Sequence, residues 1–503
     1  MNAQTLEIEK LPTGIGGFDY ISYGGLPKRR TTLIAGTSGS GKTLLALQFL
    51  HNGIERFHEG AVLVTLQEQP EDLFANVRSL GWDLASHVAQ GRLEVVDACG
   101  ETQEYAQVSG EYDLGALTAR IEHAVGKVRA TRLILGGAGA LFSLFRDPHF
   151  VRRALRRVVM ALRQLEVTAL IVVERTDDDK MARYEVEEFV ADNVVILRNR
   201  LDNERRRRTA EVLKFRGSFH QKGEFSFTID PVDGIDISPI SSLASSAEAA
   251  TTRISLGVPE LDQMCGGGVY RDNIVLVSGA TGTGKTLMVT EFIDSGIQAG
   301  ERSLLFSFEE DREQLVRNAS NWGVDLGAAE AGGLLKIFSE YPERRGMEDH
   351  LIHMRRAIQD FKPERVAIDS ISSMEQSANA RSFREFILGV ISYLKVKRIA
   401  GMLIHSSTEV IGNPPLNDAY ASTIADVIVA LRYVEEGGAV RRALTVLKMR
   451  GSQHDKRIRE YDIDGDGMHI KELHGGEKGI GSGAAPSAPQ SDAALGASAQ
   501  KRE

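Results

Sequence analysis

Two stretches of this 503-residue chain carry the pattern G-x-x-x-x-G-K-[ST]: GTSGSGKT from Gly36 and GATGTGKT from Gly279. In such a loop the glycines let backbone N–H groups close on phosphate oxygens. The lysine reaches the β/γ-phosphates and the hydroxyl ligates Mg2+. The helix that follows points its N-terminus at the anion. The first loop offers Gly36, Thr37, Ser38, Gly39, Ser40, Gly41, Lys42 and Thr43, with Leu44 beginning the helix. The second offers Gly279, Thr281, Gly282, Thr283, Gly284, Lys285 and Thr286, followed by Leu287. Each loop follows an apolar run (TTLIA, NIVLVS) and precedes a helical pattern. Two ATP sites are therefore expected, with Thr43 and Thr286 as metal ligands.

Hydrolysis or transfer also needs carboxylates to orient the nucleophile and hold the metal shell. In the second half LFSFEED supplies Glu309 and Glu310, and RVAIDSISS supplies Asp369. Glu309, Glu310 and Asp369 are expected to be catalytic, with Glu309 and Asp369 also in the metal shell. At the matching places the first half reads VTLQEQP, with Gln67 and Glu68, and RLILGGAGA, with Gly136. Glu68 remains a catalytic candidate. A glycine cannot polarise a metal-bound water, so the first half is expected to bind nucleotide and turn it over slowly or not at all.

The elements that must position these groups also repeat. LPTGIGGFDYISYGGLP from Leu11 is echoed by ISLGVPELDQMCGGGVY from Ile254, NVRSLGWDL from Asn76 by NASNWGVDL, and LKFRGSFHQK from Leu213 by LKMRGSQHDK. Matching landmarks in one order mean a tandem duplication. Domains are expected over 1–246 and 247–473, divided near the Ser/Ala-rich stretch 241–252, with a disordered tail over 474–503. In the first half TTLIAG, AVLVTL, RLEVV, RLILGG and ALIVVE read as buried strands, alternating with amphipathic helices. That alternation predicts an α/β fold: two tandem P-loop domains, each a mainly parallel sheet covered by helices. RRTAEVLKFRG and GEFSFTID read as an antiparallel hairpin extending the sheet.

A formal net charge of -9 argues against bulk attraction to nucleic acid or anionic lipid. Two distant cysteines exclude a disulfide framework. No run of about 18 apolar residues predicts a membrane span. A cytoplasmic protein is expected, with neither nucleic acid nor membrane as partner. Arg205–Arg208 is assigned to subunit-interface or nucleotide duty, and the arginines of FVRRALRRVVMALRQL to a solvated helix face.

The duplicated P-loop domain, FEE (308–310), NWGVDL, AIDSIS, ERRRRT and the K-x-R-G hairpin resemble the KaiC family of RecA-like double-domain ATPases, over about residues 8–470. The resemblance implies a homohexamer of two stacked rings with ATP between subunits. The neighbour would contribute Lys214, Phe215 and Arg216 in one ring, and Lys448, Met449 and Arg450 in the other. Ser218, His220, Arg442, Ser452, His454 and Lys456 match further nucleotide positions, as do Ser79 and Trp322, the latter suited to base stacking. The resemblance also implies autophosphorylation and autodephosphorylation at Ser422 and Thr423, with Glu309 as general base and Mg2+ as cofactor. Asp418 matches the family pattern, whereas Asn417 and Gln376 depart from it. A KaiB-like protein or a histidine-kinase type output is implied as partner, in a timing or signalling switch. The alternatives are a DNA-linked RecA-type ATPase and an ATP-assembled scaffold with little catalysis.

Overall fold

The computed structural model describes residues 8–99, 114–139, 148–175, 191–202, 205–237, 250–407, 425–436 and 438–471. The stretch 241–249, the pair Ser422 and Thr423, Asn417, Asp418 and the tail from 472 onward lie outside the described residues. The chain divides into two compact units: 1–247 with 343–356 and 377–396, and 248–342 with 357–376 and 397–503.

Each unit carries a nine-stranded sheet. In the first, the spatial order is Gly234–Ile237, Glu224–Asp230, Arg205–Phe215, Asn193–Asp202, Thr31–Gly36, Thr168–Glu174, Ala130–Gly136, Gly60–Thr65, Leu93–Asp97. The second repeats it in mirror listing: Leu335–Ser339, Ser303–Ser307, Arg365–Asp369, Ala400–Ser406, Ile274–Gly279, Val427–Glu436, Ala439–Met449, Arg459–Asp464, Gly467–Ile470. The strands around each loop strand pair in parallel. The hairpin strands beyond are antiparallel, as the sequence led us to expect. The α/β class and tandem RecA-like arrangement thus hold.

Continuous apolar runs suit parallel strands because both faces are covered. Leu33 and Ile34 are neighbours that point to opposite faces. Leu33 packs with Leu133, Leu135, Ile121 and Leu155. Ile34 packs with Phe49, Leu50 and Ile54 from the helix Lys42–Phe57 that follows the loop. In the second unit Val275 and Val277 meet Leu287, Met288 and Phe292 of Lys285–Gln298 in the same way.

A buried arginine locks each loop helix to its sheet. Arg365 opens its strand and is 2% exposed. Its Nε meets Glu301 at 2.7 Å, and Nη1 donates to Ser255 O at 2.8 Å and Phe292 O at 3.0 Å. Gly296 leaves the room, since a Cβ there would lie 2.6 Å from Arg365 Cδ. Arg132 repeats the device with Glu59, Phe49 O, Pro12 O and Gly53. Arg365→Ala would strip the Ser255 and Phe292 carbonyls of their donor and weaken the hold on Glu301. The expected loss is about 3–5 kcal/mol, on the scale of a broken buried ion pair. Urea unfolding of a Trp82→Phe background, in which Trp322 alone reports on the second unit, measures it.

Candidate nucleotide sites

Both loops turn on glycines in the left-handed region. Gly39 and Gly41 have φ of 72° and 89°, and Gly282 and Gly284 have 81° and 91°. Helices start directly at Lys42 and Lys285, so their N-termini face the loop concavity. Each lysine folds back on its own loop: Lys42 Nζ donates to Thr37 O at 2.8 Å and Lys285 Nζ to Ala280 O at 2.9 Å. Burial lowers the pKa of both ammonium groups. Asp369 and then Glu309 oppose that at Lys285, whereas Glu174 and then Glu68 oppose it at Lys42.

In the second unit the expected groups converge. Thr286 Oγ1 donates to Asp369 Oδ2 at 2.8 Å. Burial, reinforced by Glu309 and Glu310 against the relief from Thr286 and Lys285, raises the Asp369 carboxyl to about 6. Glu309 accepts from Ser370 and, at 2.8 Å, from Ser373. Glu310 turns aside: Asn318 Nδ2 donates to it at 2.9 Å. The buried Asp369 carboxylate beside the Thr286 hydroxyl, with the more exposed Glu309 next to it, offers oxygen donors that fit a hard divalent cation completed by phosphate oxygens. Among the described residues no group of three His, Cys, Asp or Glu is arranged to hold a metal alone.

The first unit has the same strand pairing without the same acids. Thr65 pairs with Gly136 as Ser307 pairs with Asp369. Leu66 N donates to Gly136 O at 3.2 Å, and Phe308 N to Asp369 O at 2.7 Å. Gly136 therefore occupies the position of Asp369, and Gln67 that of Glu309.

The hairpin residues separate into two groups. Phe215 is level with Thr32 and Lys214 with Leu33, through Asn193 and Val194. Met449 is level with Val275 and Lys448 with Leu276, through Val427 and Ile428. Gly36 and Gly279 lie three to four residues further along, about 10–13 Å at 3.3 Å per residue. Lys214 Nζ donates to Ala191 O at 2.9 Å and Lys448 Nζ to Ala425 O at 2.8 Å. Arg216 and Arg450 follow at that same far end, their N–H groups on Asp192 O and Asp426 O. Ser452 accepts from Arg253. His220 tilts against Phe215 at 5.5 Å between centroids, and burial lowers its pKa. None of these residues is brought to its own loop.

Arg442 belongs to the other group. It pairs with Tyr433, beyond the level of Gly279. Its counterpart Arg208, which pairs with Asn199, was not singled out in the sequence. Arg208 Nε and Asn199 Nδ2 each donate to Gly39 O at 3.3 Å. Its only signal was membership of the Arg205–Arg208 run. Tyr461, fully buried, clamps Thr283 O in the second loop and was likewise missed. Ser79 caps the helix Pro70–Arg78, and Trp322 packs half-buried against the second core.

The first site's backbone is able to accept an acid. A Cβ on Gly136 would come no closer than 3.5 Å to Val64 O. One on Gly137, at φ 70°, would meet Gln67 Cβ at 2.7 Å. Gly136→Asp should therefore leave the melting temperature near wild type, whereas Gly137→Ala should lower stability by about 1–2 kcal/mol or more. Parallel thermal melts compare them.

A family model described as KaiC ATPase matches residues 11–242 and again 254–475. The circadian clock protein KaiC3 of Synechocystis sp. is 53% identical over 471 residues, 93% of each chain. The circadian clock oscillator protein KaiC of Thermostichus vulcanus is 48% identical over 478 residues, 95% of this chain and 92% of that one. The KaiC of Prochlorococcus marinus strain MIT 9313 is 47% identical over 480 residues, 95% and 96%. With the family matched twice, once over each phosphate loop, this chain belongs to the KaiC family of ATPases.

Proposed function

We propose that this ATPase is a homohexameric double ring in which the first loop holds nucleotide for assembly and the second carries the phosphoryl chemistry. The observation that carries the division is the pair of registers that set Asp369 in one unit against Gly136 in the other. Assembly through nucleotide is supported by the offset of Lys214 and Lys448 from their own loops, about 10 Å along the strand. A cation so far from its own phosphates serves a site on a neighbouring subunit. Arg216 and Arg450 suit that duty, because a guanidinium stabilises charge developing on a transferred phosphoryl group.

In the second site Lys285 and the loop amides hold the triphosphate, and Thr286 with Asp369 would hold Mg2+. The chemistry such an ion would supply is neutralisation of phosphate charge. Glu309, held by Ser370 and Ser373, accepts the proton of an attacking hydroxyl. With water as nucleophile the reaction is hydrolysis. With Ser422 or Thr423 of the chain it is autophosphorylation: the new O–P bond forms, the β–γ bridge breaks, and ADP leaves. A phosphate adds about -1.5 to -2 charge and shifts subunit packing, the basis for a timing or signalling role read by a KaiB-like partner or a histidine-kinase output.

Native mass measurement with and without ATP, followed by phosphosite mapping of the same sample, tests this. The expected result is an ATP-dependent hexamer phosphorylated at Ser422 and Thr423. Glu309→Gln should keep the hexamer and lose the phosphate, a drop of at least about 100-fold in transfer rate. An unphosphorylated wild-type hexamer with ATPase activity removes the autokinase.

A further inference from the structure

The first loop is not bare of carboxylate once the strand beside it is considered. Thr168–Glu174 lies between the loop strand and the strand ending at Gly136. In parallel α/β sheets, ligands collect at the carboxyl ends of such strands. Its last residue, Glu174, pairs directly with Gly36, the first glycine of the loop. In the second unit the residue so paired, with Gly279, is Ser406. The two backbones agree: Arg175 N donates to Gly36 O at 2.9 Å, and Ser407 N to Gly279 O at 3.0 Å. Only the side chain differs.

The exchange is reciprocal. Where the second unit has Asp369 on the outer strand and a serine on the inner one, the first has Gly136 outside and Glu174 inside. A glutamate is one methylene longer than an aspartate. Its start one strand nearer the loop leaves it within the field of the same lysine. The electrostatics agree, since Glu174 leads the carboxylates acting on Lys42 as Asp369 leads those acting on Lys285.

We propose that Glu174 supplies the carboxylate of the divalent-cation shell at the first loop, in place of the aspartate absent at Gly136. The first loop then takes up its nucleotide as the Mg2+ complex although its hydrolytic acids are depleted. This rests on the reading that the first loop binds nucleotide.

The full chain carrying Lys285→Ala, which disables the second loop, is titrated with a fluorescent N-methylanthraniloyl ATP in EDTA and in Mg2+. The expected result is that Mg2+ tightens binding. Glu174→Gln should cut that gain about 10-fold or more, the usual effect of losing a carboxylate that supports a metal, while affinity in EDTA holds. Gly136→Asp added to Glu174→Gln should restore the gain. A gain unchanged by Glu174→Gln overturns the assignment, as does an equal loss with and without the metal. A chain that binds no nucleotide in either buffer sinks the first-loop reading and this assignment with it.

Discussion

The parallel register around each loop strand is the constraint on which the two sites depend. Thr31–Gly36 and Ile274–Gly279 each hydrogen-bond to a parallel strand on both sides. Side-chain position is therefore quantised in steps of about 3.3 Å along the strand. Residues that end these strands meet at the phosphate loop, and residues that begin them cannot. Asp369, Glu174 and Ser406 are strand ends. Lys214 and Lys448 lie level with Leu33 and Leu276, three residues short of the loop glycines. One geometric rule thus sorts the groups that lie at their own loop from those held away from it.

That register is held by structure the two units share. Arg132 and Arg365, near the starts of the strands ending in Gly136 and Asp369, bind backbone carbonyls of the loop helix and of Pro12 or Ser255 near the start of each unit. A buried guanidinium is tolerable only with its hydrogen bonds met and a carboxylate beside it. Glu59 and Glu301 provide the carboxylates. The loops themselves are clamped differently, by Arg208 and Asn199 in the first unit and by Tyr461 in the second. The scaffold is shared while the residues at the loops differ.

At these strand ends the strand pairing is shared while the side chains differ. Backbone bonds from Leu66 to Gly136 and from Phe308 to Asp369 correspond, so losing the acid did not require remodelling the strand. The loop glycines, the lysine and the helix start that follows are duplicated in both units.

The loops, the duplication, the strand–helix alternation and the glycine at position 136 were legible in the chain alone. They are local patterns: a motif's spacing, an apolar run, an aligned repeat. Arg208 was legible only as part of a basic run assigned to interface or nucleotide duty, and Tyr461 not at all, because neither carries a local mark of the loop it clamps. Nor was Glu174, since nothing in ALIVVE says which strand lies beside it. Strand order and register are long-range pairings, decided by how apolar faces pack across the whole sheet. The sequence by itself determined that there are two phosphate loops and that their carboxylates differ. Only the tertiary structure decided which residues reach each loop, because reach depends on which strand ends share an edge.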